Sequence, residues 1–170
     1  MTILKQCAVY LSMAVFPGSA YCSEYVSYSG PDYFSGGAVT YRIDIDDNRT
    51  VSMDAIESAE FCEKKSGVYC FSDGAVSFSI PKNGVSTGQK WSYKGHEFTA
   101  ARFQEMVFLG RRIPVVVVTA LSDSGQTNVF YFSRKLGIIA LKLSASGKTT
   151  GGCDYGNLFV LKDAKGFPFN

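Results

Sequence analysis

The sequence predicts an all-β protein, mostly antiparallel, built as a curved meander sheet that forms a barrel, a half-barrel or a sandwich, with at most one short helix. Three observations carry this expectation. Apolar and polar residues alternate at period two in several separate segments, turn-forming residues recur about every eight to twelve positions, and 17 glycines are spread along the chain. A chain of 170 residues that is 46% hydrophobic and 19% charged has the composition of one globular domain, which excludes disordered, collagen-like and coiled-coil classes. Its net charge of +2 excludes attraction of the whole surface to nucleic acid or to anionic lipid, so any electrostatic site has to be local.

Residues 1–20 read as a cleaved signal peptide. Lys5 precedes an apolar stretch from Cys7 to Phe16, Pro17-Gly18 breaks it, and Gly18-Ser19-Ala20 offers a small-residue cleavage site after Ala20. The apolar stretch is about half the length a spanning helix needs, so no membrane insertion is expected. Tyr21 is not the small residue that lipoprotein processing favours before a cysteine, and Cys22 is therefore not expected to carry lipid. Residues 21–170 are then a single β-rich domain, periplasmic or secreted, and loss of Lys5 takes the net charge to +1.

Val39, Tyr41, Ile43 and Ile45 alternate with Thr40, Arg42, Asp44 and Asp46, as a half-buried strand does, and Asp46-Asp47-Asn48 supplies turn chemistry before a strand at Thr50 to Met53. Asp54-Ala55-Ile56-Glu57 has the spacing of a capping box that would open a short helix, against which stands the hairpin expected at Cys62 just after it. Val76, Phe78 and Ile80 alternate with Ser77 and Ser79 in a second half-buried strand that Pro81 ends. Trp91 to Tyr93, the turn Lys94-Gly95 and the run from His96 to Phe103 describe a hairpin. Ile113 to Leu121 and Val129 to Phe132 are apolar on both faces, as central strands are; Ile139, Leu141 and Leu143 mark one more half-buried strand. The segment from Lys162 to Asn170 reads as an irregular tail.

Once Cys7 leaves with the signal, four cysteines remain, an even number suited to two disulfides in an oxidising compartment. Cys62 and Cys70 flank a turn-like segment and pair most economically with each other, leaving Cys22 for Cys153. The absence of any Cys-x-x-Cys pair argues against a zinc site, and no metal or cofactor is expected.

No catalytic motif is complete. His96 is the only histidine, no Gly-x-Ser-x-Gly elbow accompanies it, and an exposed strand position explains it. Ser144 to Thr149 lacks the upstream glycine of a phosphate loop, where Lys142 stands, and Asp44 to Asn48 lacks the glycine and glutamate of a calcium loop. Carboxylate pairs for glycoside hydrolysis can be drawn from Glu97, Glu105, Asp123 and Asp154, with nothing to set their separation. Ten tyrosines and thirteen phenylalanines are expected chiefly in the core and in cross-strand pairs.

One constellation follows from topology. In an antiparallel meander the turns alternate between the two ends of the sheet, so the turns holding Arg111-Arg112 and Arg134-Lys135, two strands apart, share an end. Arg111, Arg112, Arg134 and Lys135 then form a basic rim suited to an acidic protein partner. The expected function is an exported, non-catalytic binding protein that blocks a partner, of the enzyme-inhibitor or toxin-immunity type, with no nucleic-acid role. The alternatives are a carrier or sensor of an apolar ligand in a half-barrel cavity, and a hydrolase using His96 or paired carboxylates. The nine residues Tyr131 to Ile139 resemble, in general character, segments of small exported β-proteins of Gram-negative bacteria, a likeness that implies no activity.

Overall fold

The structure, a computed structural model, describes residues 24–31, 36–52, 55–63, 65–74, 76–123, 125–144 and 156–162. Among these there are strands and turns and no helix. Four strands lead off as a meander: β1 (Tyr25–Pro31), β2 (Ala38–Asp44), β3 (Arg49–Ser52) and β4 (Ala55–Ser58). Three short strands, β5 (Glu60–Phe61), β6 (Val68–Ser72) and β7 (Ser77–Pro81), make a separate antiparallel sheet. A second meander follows: β8 (Lys90–Tyr93), β9 (His96–Phe108), β10 (Arg111–Ser122), β11 (Thr127–Ser133), β12 (Gly137–Ser144) and β13 (Gly156–Leu161). Antiparallel pairing of β13 with β1, Tyr28 opposite Leu161, joins the two meanders into one ten-stranded sheet whose edges are β4 and β8.

That sheet has to curl. Thr50 on β3 donates to Asp73 at the end of β6, and the Trp91 indole on β8 donates to the Ser79 carbonyl on β7. β3 and β8 stand eight strand spacings apart in the sheet order, about 38 Å if flat, whereas three strands span only about 10 Å between their outer members. Both ends of the large sheet can reach the small one only by wrapping around it. The result is an open curled sheet with its hollow filled, which excludes a closed barrel.

The filling is aromatic. Phe78 is fully buried, with its ring 5.0 Å from Phe130 and 5.7 Å from Phe132, and Tyr69 meets Phe132 from the neighbouring strand. Tyr28, Ile43, Phe71, Phe98, Ile138 and Leu141 complete the fully buried centre. A side chain of this size contributes about 1.5–3 kcal/mol on leaving water, so these few residues dominate the drive to wrap one sheet round the other.

Several local expectations are corrected by the packing. Ala55–Ser58 is a strand paired with β3, Glu57 opposite Thr50, because cross-strand pairing outweighs the capping signal; Asp54 lies outside the described residues. β7 is buried on both faces, including Ser77 and Ser79, because one face meets β11 while Trp91 covers its free edge. Ser77 is accommodated by a hydroxyl pair with Ser72 at 2.8 Å. Gly137 to Leu141 in β12 are likewise buried on both faces. Asp44, expected to face solvent, is fully buried beneath the guanidinium groups of Arg42 and Arg49, at 2.6 and 3.0 Å.

Candidate functional site

The β9–β10 hairpin is longer than the sheet that carries it. β10 pairs with β9 from Arg111 to Ser122 but with β11 only from Val116 onward, so its first five residues and their partners on β9 overhang their neighbour. At about 3.3 Å per residue, Arg111 stands roughly 16 Å beyond the last residue shared with β11. One face of the overhang is anchored: Phe108 is buried, and Met106 and Ile113, opposite one another, pack on the core. The other face is open: Val107 is 73% exposed, and Phe103, at the base of the overhang opposite Val116, is 56% exposed. Arg112 lies opposite Val107 and reaches Glu105 at 3.4 Å, both charges being largely in solvent.

The tip is unusual. Leu109 and Gly110 both have positive φ, 47° and 72°, the two-residue hairpin turn that asparagine-glycine normally fills. A leucine there meets its own Cβ strain and remains 61% exposed, outside the packed core, so it gains little internal packing in return.

The turn from Arg134 to Leu136 joins β11 to β12 at the same end of the sheet as Leu109-Gly110. It is set back, because Ser133 lies level with Val115, roughly 13 Å short of Arg111. Arg134 rests against Gly84, its guanidinium occupying the space that a side chain there would need, and Gly84 has φ of +96°. Thus Arg111 and Arg112 ride on the projecting tip while Arg134 and Lys135 sit near its base.

At the opposite end, the turns after β6, β8 and β10 converge with the end of β12 around a polar cleft of about 530 Å³. His96 lines it, directly across from Ser122, and is half-buried rather than the exposed strand residue expected. Asp73 lines it too, with its carboxylate in a tight network: Oδ2 accepts from the Tyr41 hydroxyl at 2.6 Å and the Thr50 hydroxyl at 2.7 Å, and Oδ1 accepts from the Val76 amide at 2.6 Å. Burial, reinforced by the adjacent Asp73 charge, pushes the Tyr41 hydroxyl well above its ordinary pKa. Lys94 at the cleft mouth is bonded to Glu60, which raises its ammonium pKa. Among the described residues no hydrogen bond joins His96 to a serine or a carboxylate, and no three potential ligands gather around a metal position. Glu97 is engaged by Lys90 on the edge hairpin, Glu105 belongs to the overhang, and Asp123 alone of the sequence-proposed carboxylates lines the cleft with His96; Asp154 lies outside the described residues.

Cys62 and Cys70 form the disulfide expected from their spacing, with Cα atoms 5.2 Å apart, and it ties the end of β5 to β6 beneath the Tyr93 hydroxyl. Cys22 and Cys153 lie outside the described residues. Sequence reasoning missed the overhang and the cleft. The first has a trace in the sequence, since β9 and β10 can be extended on both sides of Leu109-Gly110 well past the reach of Val129 to Phe132; the second assembles turns from four separate places. No protein-family model, curated protein or solved structure matches the chain.

Proposed function

We propose that this chain is an exported, non-catalytic binding protein that blocks an acidic protein partner by presenting its β9–β10 hairpin. The observation that carries the reading is Leu109, a bulky apolar residue in a left-handed turn at an exposed tip. Such a residue costs about 1–2 kcal/mol relative to a right-handed one and lies outside the packed core, which is the pattern of strain kept for an outside contact. Phe103 and Val107 add exposed apolar surface, with Arg112 beside Val107 on the same face and Arg111 at the tip on the other, arginine being a residue type enriched with aromatics at interface hot spots. The anchored face, Met106, Phe108 and Ile113, holds the hairpin in place before binding and so lowers the entropy lost on association. The arginines would steer an acidic surface toward the tip, with Arg134 and Lys135 extending the positive field at its base. The filled hollow of the sheet favours this reading over a carrier of apolar ligands, and the signal-like residues 1–20 together with the Cys62–Cys70 bond support export.

Photocrosslinking from position 109 in exported protein, with position 121 at the opposite end of β10 as the control, tests this. A discrete protein adduct formed from 109 and absent from 121 is expected. Equal labelling from both positions, or no adduct from 109, would overturn the reading.

A further inference from the structure

We propose that the polar cleft is a second, separate binding site, for a short neutral saccharide of one or two sugar units. The proposal does not depend on the hairpin. Its size falls within the range of small-molecule sites, but its lining is unlike that of an apolar-ligand pocket: Ser122, Gln126, Asn128 and Ser144 face it from the ends of β10, β11 and β12. Amides and hydroxyls both donate and accept, which matches the alternating demands of sugar hydroxyl groups. Leu143 and the His96 ring, both half-buried, supply apolar surface for the C–H face of a ring.

The charges choose among polar ligands. Lys94 is occupied by Glu60, and Asp73 already accepts from Tyr41, Thr50 and the Val76 amide. Asp123 remains as an exposed carboxylate that can accept from two neighbouring hydroxyls of one sugar. With two carboxylates lining the cleft and its one lysine paired, a phosphate or carboxylate ligand is repelled and a neutral polyol is not.

The lining is also fixed in advance. The Asn128 side-chain oxygen accepts from the Ser144 amide at 3.0 Å, and the Ser122 hydroxyl accepts from the Gln126 amide at 3.1 Å, so the two strand ends are tied together before any ligand arrives. Gly95, at φ of +74°, lets the Asp123 carboxylate approach to where a Cβ would stand only 2.9 Å from it. The Asp123 carboxylate thereby sits close beside the turn that precedes His96.

The test is an amide chemical-shift titration of the whole protein with maltose, with N,N′-diacetylchitobiose and, as an anionic control, with glucose 6-phosphate. At least one neutral disaccharide should give saturable shifts at Gly95, His96, Ser122 and Asn128 with Kd near about 1 mM, leaving Leu109 and Gly110 unmoved. Asp123→Ala, whose unchanged remaining spectrum would show it folded, should weaken that binding at least about fivefold, roughly 1 kcal/mol. Absence of saturable shifts with both disaccharides at about 20 mM, tighter binding of glucose 6-phosphate, or undiminished binding by Asp123→Ala would each overturn the proposal.

Discussion

Replacing Tyr41 with phenylalanine removes one oxygen from the network that fastens the β6–β7 turn to the first meander. The Tyr41 hydroxyl donates to Asp73 Oδ2 at 2.6 Å from a side chain only 3% exposed. A hydrogen bond to a charged group contributes about 1.5–3 kcal/mol net, and Asp73 Oδ2 keeps the Thr50 donor, so we expect Tyr41→Phe to cost about 2 kcal/mol at neutral pH. In a chain of this length that is a fall in Tm of about 4–8 °C. The pH dependence supplies a second signature. Because the folded protein raises the Tyr41 pKa, the unfolded chain loses this proton first, above about pH 10, while the native state still holds it. The native state then binds more protons, and wild-type stability falls by up to about 1.4 kcal/mol per pH unit between the unfolded and folded pKa values. Below about pH 10 the contribution is complete. Tyr41→Phe lacks this titration, so its deficit relative to wild type should shrink as pH rises from about 10 to 11. Urea unfolding of both proteins at matched pH values reads the difference directly, and the other tyrosines cancel in it. A deficit under about 0.5 kcal/mol at neutral pH, or one that stays constant through the alkaline range, would refute the reasoning.

Other perturbations separate the parts of the account. Phe78→Ala, at the contact with Phe130 and Phe132, should destabilise by about 3–5 kcal/mol in urea unfolding, and a loss under about 1 kcal/mol would mean the small sheet does not organise the core. Cys62→Ser with Cys70→Ser opens a short loop and should cost about 2–3 kcal/mol; peptide mapping of exported wild-type protein should find the bond, and free thiols at both positions would contradict it. Leu109→Gly should raise stability by about 1 kcal/mol, and a destabilised Leu109→Gly would show that the leucine serves the fold.

What could be read along the chain was what neighbours in sequence decide. The Lys94-Gly95 turn announces its hairpin because a two-residue turn with both φ values positive selects glycine, and Cys62 and Cys70 pair because a short turn brings them together. Period-two alternation reports that one face of a strand is buried and is silent on what covers the other. Alternation alone therefore places Ser77, Ser79 and Asp44 on open faces, whereas the first two are covered by packing from sequence-distant elements and the third by the two arginines on β2 and β3. The pairing of β1 with β13 spans nearly the whole domain and leaves no local trace. Arg111 and Arg112 are the first residues of β10 and not turn residues, the turn being Leu109-Gly110; that they share an end with the Arg134-Lys135 turn follows from strand parity, whereas the stagger depends on where β11 stops pairing with β10. The cleft was illegible for the same reason, since His96, Asp73 and Asn128 meet only after the large sheet has wrapped around the small one.

The most direct test of the hairpin reading is the affinity of the partner recovered from position 109 for wild-type protein and for the double variant Arg111→Glu, Arg112→Glu, at low and at physiological salt. Both side chains are exposed, so folding should be unchanged within about 0.5 kcal/mol. The account predicts at least a tenfold weaker complex, about 1.4 kcal/mol, with slower association and a reduced dependence on salt. An unchanged affinity and association rate in a folded double variant would contradict it.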